Sequence, residues 1–589
     1  MEQPETTGPG STPSLGHSLR RDPTARRAAV VYAAIALGSV PLAVYSFGLN
    51  GSGFVSNLPT ATLDLSFSFT RMLIAYLLSL GFALAYGYYA STHRTGERVM
   101  IPVLDILQSV PILGFFPVAI VFFVALTPGS SIGENLASIF LIFTSMAWNL
   151  VFGVYESLKT IPNELREAAD AFGSRGFQRL RRLVLPATVN RLVYNSVLSW
   201  TAGWFFLVEA EIFTTSGTNP LPGIGSYLSI AASSGGAGAF LAGIVPLIIL
   251  IVLLDFGVWR PLGRWAERFR YDQSSAGEPI ALSVTEGSRR FRRAAAYVTR
   301  GVRSGVTRVS SPFVQLAALT SRSTRERARR PLVRTAVHYV ALGTILVIVW
   351  LMLIALSVAV YDVFSSTIVP SVRDQMVLLP LAMGASTLRV ATAYLICLAI
   401  ALPLAAYLAR SPRGSRAGLP MVEVIASFPA TALFPVIIFQ LVPYISPEGA
   451  AILMLMTGMM WYLFFNLLSG IRSVPPDLEE AARSFGLDKR KLFRRVILPG
   501  TFTALVTGSI TAFGGGWNTL IVAEYLQGGP GHLFQVFGIG QQIDIGYAEP
   551  NGLPLMTAAL LTLVVTVIVI NELIWKPAYR KAIDKYRYD

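Results

Sequence analysis

Only one cysteine, Cys397, and four histidines (His17, His93, His338 and His532) occur in 589 residues. A lone cysteine excludes an intrachain disulfide. The histidines are scattered without metal-ligand spacing, so no metal site is expected. Charge is scarce as well: Asp, Glu, Lys and Arg make up 14% of the chain, against about a quarter in soluble domains. No phosphate loop of the form GxxxxGK[ST] is present, so the chain is not expected to hold ATP through that motif.

What fills the chain instead is apolar. Hydrophobic residues account for 53% of it and its mean hydropathy is +0.56, values that belong to a polytopic membrane protein. The 50 glycines and 35 prolines fit, because transmembrane helices tolerate both. The net charge of +15 is assigned to arginines that fix orientation from the cytoplasmic side, not to nucleic-acid binding. Residues 1–27 form a polar tail ending in Arg20, Arg21, Arg26 and Arg27. A cleavable leader begins its apolar core sooner, so the first span reads as a retained helix.

Runs of about 20 apolar residues, the length that crosses a bilayer, predict twelve spans. They lie near 28–48, 67–91, 101–126, 135–158, 188–212 and 238–258, then 336–361, 385–409, 418–443, 449–471, 500–523 and 553–575. Loops 127–134, 213–237, 444–448 and 524–552 contain no Lys or Arg, whereas the alternate loops are basic. This places both termini in the cytoplasm, and Arg373 alone runs against the pattern. The expected domains are a tail (1–27), a first membrane domain (28–259), a basic cytoplasmic linker (260–335), a second membrane domain (336–576) and a second tail (577–589). The linker holds 17 Arg against 5 acidic residues. Its segment 289–309 reads either as a solvated connector or as a basic amphipathic helix on anionic lipid.

The two membrane domains repeat each other. EAADAFGSRGFQRLRRLVLP (167–186) returns as EAARSFGLDKRKLFRRVILP (480–499), and the register extends to Trp148/Trp461, Pro162/Pro475, Trp204/Trp517 and Glu211/Glu524. Upstream, past a small change of offset, Arg71 pairs with Arg389, Asp105 with Glu423, Ser109 with Ser427, Pro111 with Pro429 and Pro117 with Pro435. An internal duplication explains charged and proline positions staying in step. Six spans per copy put both copies the same way up, as a parallel pseudo-dimer.

The repeated stretch carries eight charged side chains between Glu164 and Arg182. At about 3 kcal/mol each in the bilayer centre they would cost on the order of 24 kcal/mol, so the stretch stays in water. It reads as two short helices. The first opens at Pro162 and stops at Gly173. The second is basic, with Phe177, Leu180, Leu183 and Val184 along one face, matched by Leu492, Phe493, Val496 and Ile497. A topology-fixing loop accounts for the charge but not for the retained Glu-Ala-Ala, the Gly six residues after the Glu, or the Leu-Pro beyond it. A carboxylate beside two small residues suits docking into a groove of another protein.

Both stretches match EAAxxxGxxxxxxxxx(I/L/V)xLP, and on those residues the chain resembles the permease subunits of binding-protein-dependent ABC importers. LDILQSVPILGFFP, VEVIASFPATALFP and GGGWNTLIVAEYL followed by FGIG resemble the nitrate/sulfonate/taurine type. The resemblance implies an all-α fold of two six-helix repeats, with both transmembrane domains of an importer in one chain. It implies that Glu167, Ala168, Ala169, Gly173, Glu480, Ala481, Ala482 and Gly486 contact two copies of a cytoplasmic ATPase. That ATPase would bind ATP and Mg, leaving no cofactor in this chain. It further implies an extracytoplasmic solute-binding protein, no second permease subunit, a small anionic solute and a prokaryotic cell membrane.

Further candidates come from the residues themselves. Ser109, Pro111, Pro117, Ser427, Pro429 and Pro435 break the third span of each copy, and broken helices survive where they line a cavity or pack on protein. Trp204, Trp517 and Asn518 line the path or pack. Arg71 and Arg389 start the second spans near the outer face, as snorkelling, loop-pairing or anion-attracting side chains. Glu209, Glu211 and Glu524 end the fifth spans, where a surface carboxylate or a contact to the binding protein is expected. The rival reading is a secondary transporter of six-plus-six spans, which needs no EAA loop and does need coupling ionisable residues at mid-membrane.

Overall fold

The computed structural model describes residues 51–269 and 370–586, apart from 110, 129, 174–182, 215–220, 235, 427, 528–532 and 550. The spans expected at 28–48 and 336–361, most of the linker, the N-terminal tail, Phe177, Leu180, Ser427 and the side chain of Ser109 lie outside the described residues.

The first half runs α1 (Gly51–Thr92), α2 (Arg94–Ser109), a 3-10 turn (Ile112–Phe115), α3 (Phe116–Leu126), α4 (Ile132–Lys159), α5 (Asn163–Ala171), α6 (Leu185–Thr214), α7 (Ile224–Ser233) and α8 (Ala237–Leu254), extended by a π-turn into α9 (Arg260–Ala266). The second half repeats the order. It comprises α10 (Pro370–Val377), α11 (Leu379–Arg410), α12 (Pro412–Ala426), a 3-10 turn (Ala430–Leu433), α13 (Phe434–Val436), α14 (Val442–Arg472), α15 (Pro476–Ser484), α16 (Lys489–Leu492), α17 (Leu498–Gly500), α18 (Phe502–Glu524), α19 (Ile539–Ala548), α20 (Leu553–Ile570) and α21 (Lys576–Tyr586). A small hairpin of β1 (Tyr525–Gln527) and β2 (Leu533–Gln535) links α18 to α19.

Each half is built on three packed long helices: α1, α4 and α6 in the first, α11, α14 and α18 in the second. Small residues allow the close crossings, as membrane helix packing requires. A Cβ on Gly515 of α18 would meet the Gly458 carbonyl of α14 at 2.2 Å. The repeat holds at the level of single hydrogen bonds: Tyr76 bonds Ser196 at 2.9 Å, and Tyr394 bonds Ser509 at 2.7 Å.

The spans differ from the apolar runs in physically intelligible ways. Among the described residues six helices are long and apolar enough to cross a membrane. A pair bent by 62°, Arg490–Gly500 with Phe502–Glu524, makes a seventh. The third span divides at Pro111, whose extended backbone (φ −59°, ψ 118°) separates α2 from the 3-10 turn. Pro429 (φ −69°, ψ 106°) does the same in the second half. The loop expected at 444–448 is a kink at Ser446, with φ 65°, inside an otherwise continuous helix. Loops 213–237 and 524–552 each carry a ten-residue helix, α7 and α19. Those helices were too short to register as spans.

Candidate functional site

Three regions carry the repeated polar residues: the EAA ends of the two halves, the opposite ends of their fifth helices, and the seam between the halves.

At the EAA ends, α5 and α15 leave the membrane helices after Pro162 and Pro475. Each stops on a left-handed glycine, Gly173 with φ +64° and Gly486 with φ +75°, a conformation that glycine adopts without a Cβ penalty. Arg166 donates to the Leu158 carbonyl at 2.6 Å, and Glu479 is paired with Arg410. Beside them, hydrogen bonds from Lys159 and then Tyr155 hold the Glu97 carboxyl below its usual range. The anchored stretches present Glu167, Ala168, Gly173, Glu480, Ala481 and Gly486 to solvent; Ala169 is half-buried and Ala482 buried. The glycine turns also push out Phe172, 90% exposed, and Phe485, 84% exposed. Sequence reading did not single out either ring. A bare aromatic at the same place in both copies is what a docking surface offers.

At the other ends of α6 and α18, Arg71, Arg389, Glu211 and Glu524 are buried. The expectation of surface carboxylates is therefore corrected. Arg71 Nη1 donates to Glu211 at 2.7 Å, its Nε to Asn135 at 2.8 Å and its Nη2 to the Pro222 carbonyl at 2.9 Å. Arg389 pairs with Glu524, with both oxygens of Glu448 at 2.7 and 3.0 Å, and with the Phe537 carbonyl at 3.1 Å. Each glutamate also receives a serine hydroxyl, Ser68 or Ser386, and the amide of Gly225 or Gly540. The carboxylates thus sit on the first turns of α7 and α19, whose unpaired amides and dipole favour negative charge. Gly223 and Gly538 make the approach possible. Asn135 and Glu448 occupy matching places, so the second cluster carries one more carboxylate. Charge pairing across about 140 residues leaves no local pattern, and sequence reading missed both.

Along the seam the broken third spans cross over. The Ile112 amide, left free by the break after Pro111, donates to Asn518 Oδ1 of the other half at 2.7 Å. Reciprocally, Thr431 donates to the Phe205 carbonyl at 3.2 Å. Pro111, Pro117, Pro429 and Pro435 are all buried at these crossings. Trp204 and Trp517 are buried too, and Trp204 packs on Trp200 within its own half. Asn518→Leu is expected to leave the Ile112 amide unpaired at a cost of about 1–3 kcal/mol. The unfolding midpoint of the purified chain in nanodiscs measures it, with Asn518→Asp as the acceptor-retaining control.

The family model for the binding-protein-dependent transport system inner membrane component matches the chain twice, over residues 77–258 and 401–574. The chain belongs to that family. This permease is 29% identical over 148 residues to the nitrate import permease protein NrtB of Leptolyngbya laminosa, covering 25% of the chain and 52% of that protein. It is 34% identical over 110 residues to the putative aliphatic sulfonates transport permease protein SsuC of Escherichia coli K12, covering 19% and 41%. To the taurine transport system permease protein TauC of the same organism it is 24% identical over 194 residues, covering 33% and 66%. These matches span only about half the length of the relatives. Two copies of the family domain in one polytopic chain of the all-α class make the permease a duplicated, fused transmembrane component. The family is one of transport permeases rather than of enzymes.

Proposed function

We propose that this chain is the complete transmembrane part of an ATP-driven importer of a small solute carrying an anionic group, of the nitrate, sulfonate, taurine or bicarbonate kind. Two copies of a cytoplasmic ATPase dock on the two EAA stretches and supply the ATP and Mg sites. An extracytoplasmic binding protein delivers solute to the opposite face. Both termini lie in the cytoplasm, and no second permease subunit is needed. ATP binding draws the ATPases together, moves α5 and α15 with them, and opens the seam at the far side. Supporting this is the presence, in both copies, of a tethered helix that ends in a left-handed glycine and an exposed phenylalanine.

Exchanging Glu167 and Glu480 for Lys tests the docking. Co-purifying ATPase and ATP-dependent uptake are expected to fall by more than about tenfold, equivalent to 1.4 kcal/mol or more. Unchanged assembly and uptake would sink the reading. The solute is addressed by titrating the partner binding protein with nitrate, sulfonates, bicarbonate and phosphate.

A further inference from the structure

Among the described residues, two almost fully buried acidic side chains take no part in the clusters above. Glu209 and Asp544 are each 1% exposed, and none of their carboxyl oxygens has a hydrogen-bond partner. They belong to different halves, yet Glu209 lies within electrostatic reach of Asp544.

The helix that carries Glu209 explains the meeting. Phe205, Glu209 and Phe213 recur every four residues along one side of α6. Phe205 packs on Phe434 and Phe213 on Tyr547, with ring centroids 6.3 and 5.6 Å apart, and both partners belong to the second half. Glu209 is one turn from each contact, in the middle of the seam. Tyr547 follows Asp544 by three residues on α19, so the two share a face. Glu524 also lies within reach of Asp544 but is held by Arg389, and Glu134 lies within reach of Tyr547.

A carboxylate stripped of water and left without a donor is strongly disfavoured, and a second one facing it adds to the penalty. The fold does not require either acid. Counting from the Gly-Ile-Gly that opens both helices, Ser229 stands in the first half where the second has Asp544; in the register that pairs Glu211 with Glu524, Val522 stands where the first has Glu209. One junction carries both acids and its mate carries neither.

We propose that this junction binds the ammonium group of the transported solute. The carboxylates supply the opposing charge, and the rings of Phe213 and Tyr547 beside them suit an organic cation through their π faces. A metal ion is a poorer match, since among the described residues no group of three His, Cys, Asp or Glu could hold one. The inference rests on the importer reading and narrows it. The solute carries an amine at one end and its anionic group at the other, unlike a bare inorganic oxyanion.

The test uses the full chain in lipid nanodiscs, with methylammonium chloride as the probe and sodium and potassium chloride at matched ionic strength as controls. Saturating methylammonium is expected to raise the unfolding midpoint by about 2 °C. The alkali salts and the Glu209→Gln/Asp544→Asn variant are expected to show no rise. The single amide variants, each nearly isosteric, are read in the same way should the double variant not fold. A midpoint unmoved by methylammonium, or a rise that survives in the amide variants, overturns the proposal. An equal rise with sodium also overturns it, by assigning an alkali-cation site. The measurement needs no ATPase, so its failure is distinguishable from failure of EAA docking.

Discussion

Arg389→Ala is expected to destabilise the permease by about 3–5 kcal/mol, the usual cost of removing one partner from a buried ion pair. The reason lies less in the lost attraction than in what stays behind. Glu524 is fully buried on the first turn of α19, and without Arg389 it faces Glu448 with only a serine hydroxyl and a backbone amide for support. Arg71→Ala should cost less, because Asn135 stands where Glu448 stands and only Glu211 loses a direct ionic partner. Glu448 is 53% exposed, so water screens part of that difference. Adding Glu524→Gln to Arg389→Ala should recover most of the loss by removing the orphaned charge. Unfolding midpoints in nanodiscs give the ranking. Equal midpoints for the single and double variants would mean that packing, not charge, holds this end together.

Gly538→Ala and Gly223→Ala come next, each at about 2–4 kcal/mol. A Cβ on Gly538 would lie 2.2 Å from the carboxyl carbon of Glu524, and one on Gly223 2.3 Å from that of Glu211. Both glycines have extended backbone, with φ 177° and 179°, so the cost comes from contact and not from backbone conformation. Relief requires the carboxylate to leave the helix terminus, which breaks the amide hydrogen bond and pulls the arginine out of place. Gly384→Ala, where a Cβ meets nothing within 4 Å, is the matched control. It should be neutral or slightly stabilising, by up to about 1 kcal/mol. A Gly538→Ala chain as stable as the Gly384→Ala chain would show that the carboxylate is free to move.

The large architecture could be read in advance because membrane insertion acts on long apolar runs, and because the duplication wrote each signal twice. The EAA stretches were legible for the same reason. Their charge forbids the bilayer, and their glycines punctuate them in register. The helices α7 and α19 escaped notice because ten residues are too few for a span. The Arg-Glu clusters escaped because Arg71 and Glu211 meet only once the chain has turned back on itself. Individually, Arg71, Arg389, Glu211 and Glu524 looked like helix-end charges; only the packing of α1 on α6, and α11 on α18, makes them partners. The Asn518 bond to the Ile112 amide was still further from reach, joining residues in different halves.

That crosswise bond, together with the unequal residues at matching positions of the two halves, bears on why one polypeptide carries both halves. In an assembly of two identical chains, every side chain near the rotation axis is present twice. An acid at one junction forces an acid at the other, and a favourable contact cannot be tuned without altering its mirror partner. Joining the halves lifts that restriction. Glu209 can lie within electrostatic reach of Asp544 while Val522 occupies the corresponding site, and Glu448 can differ from Asn135. A solute bound at that junction would sit off-centre, in a single orientation, where a symmetric dimer would offer two equivalent poses.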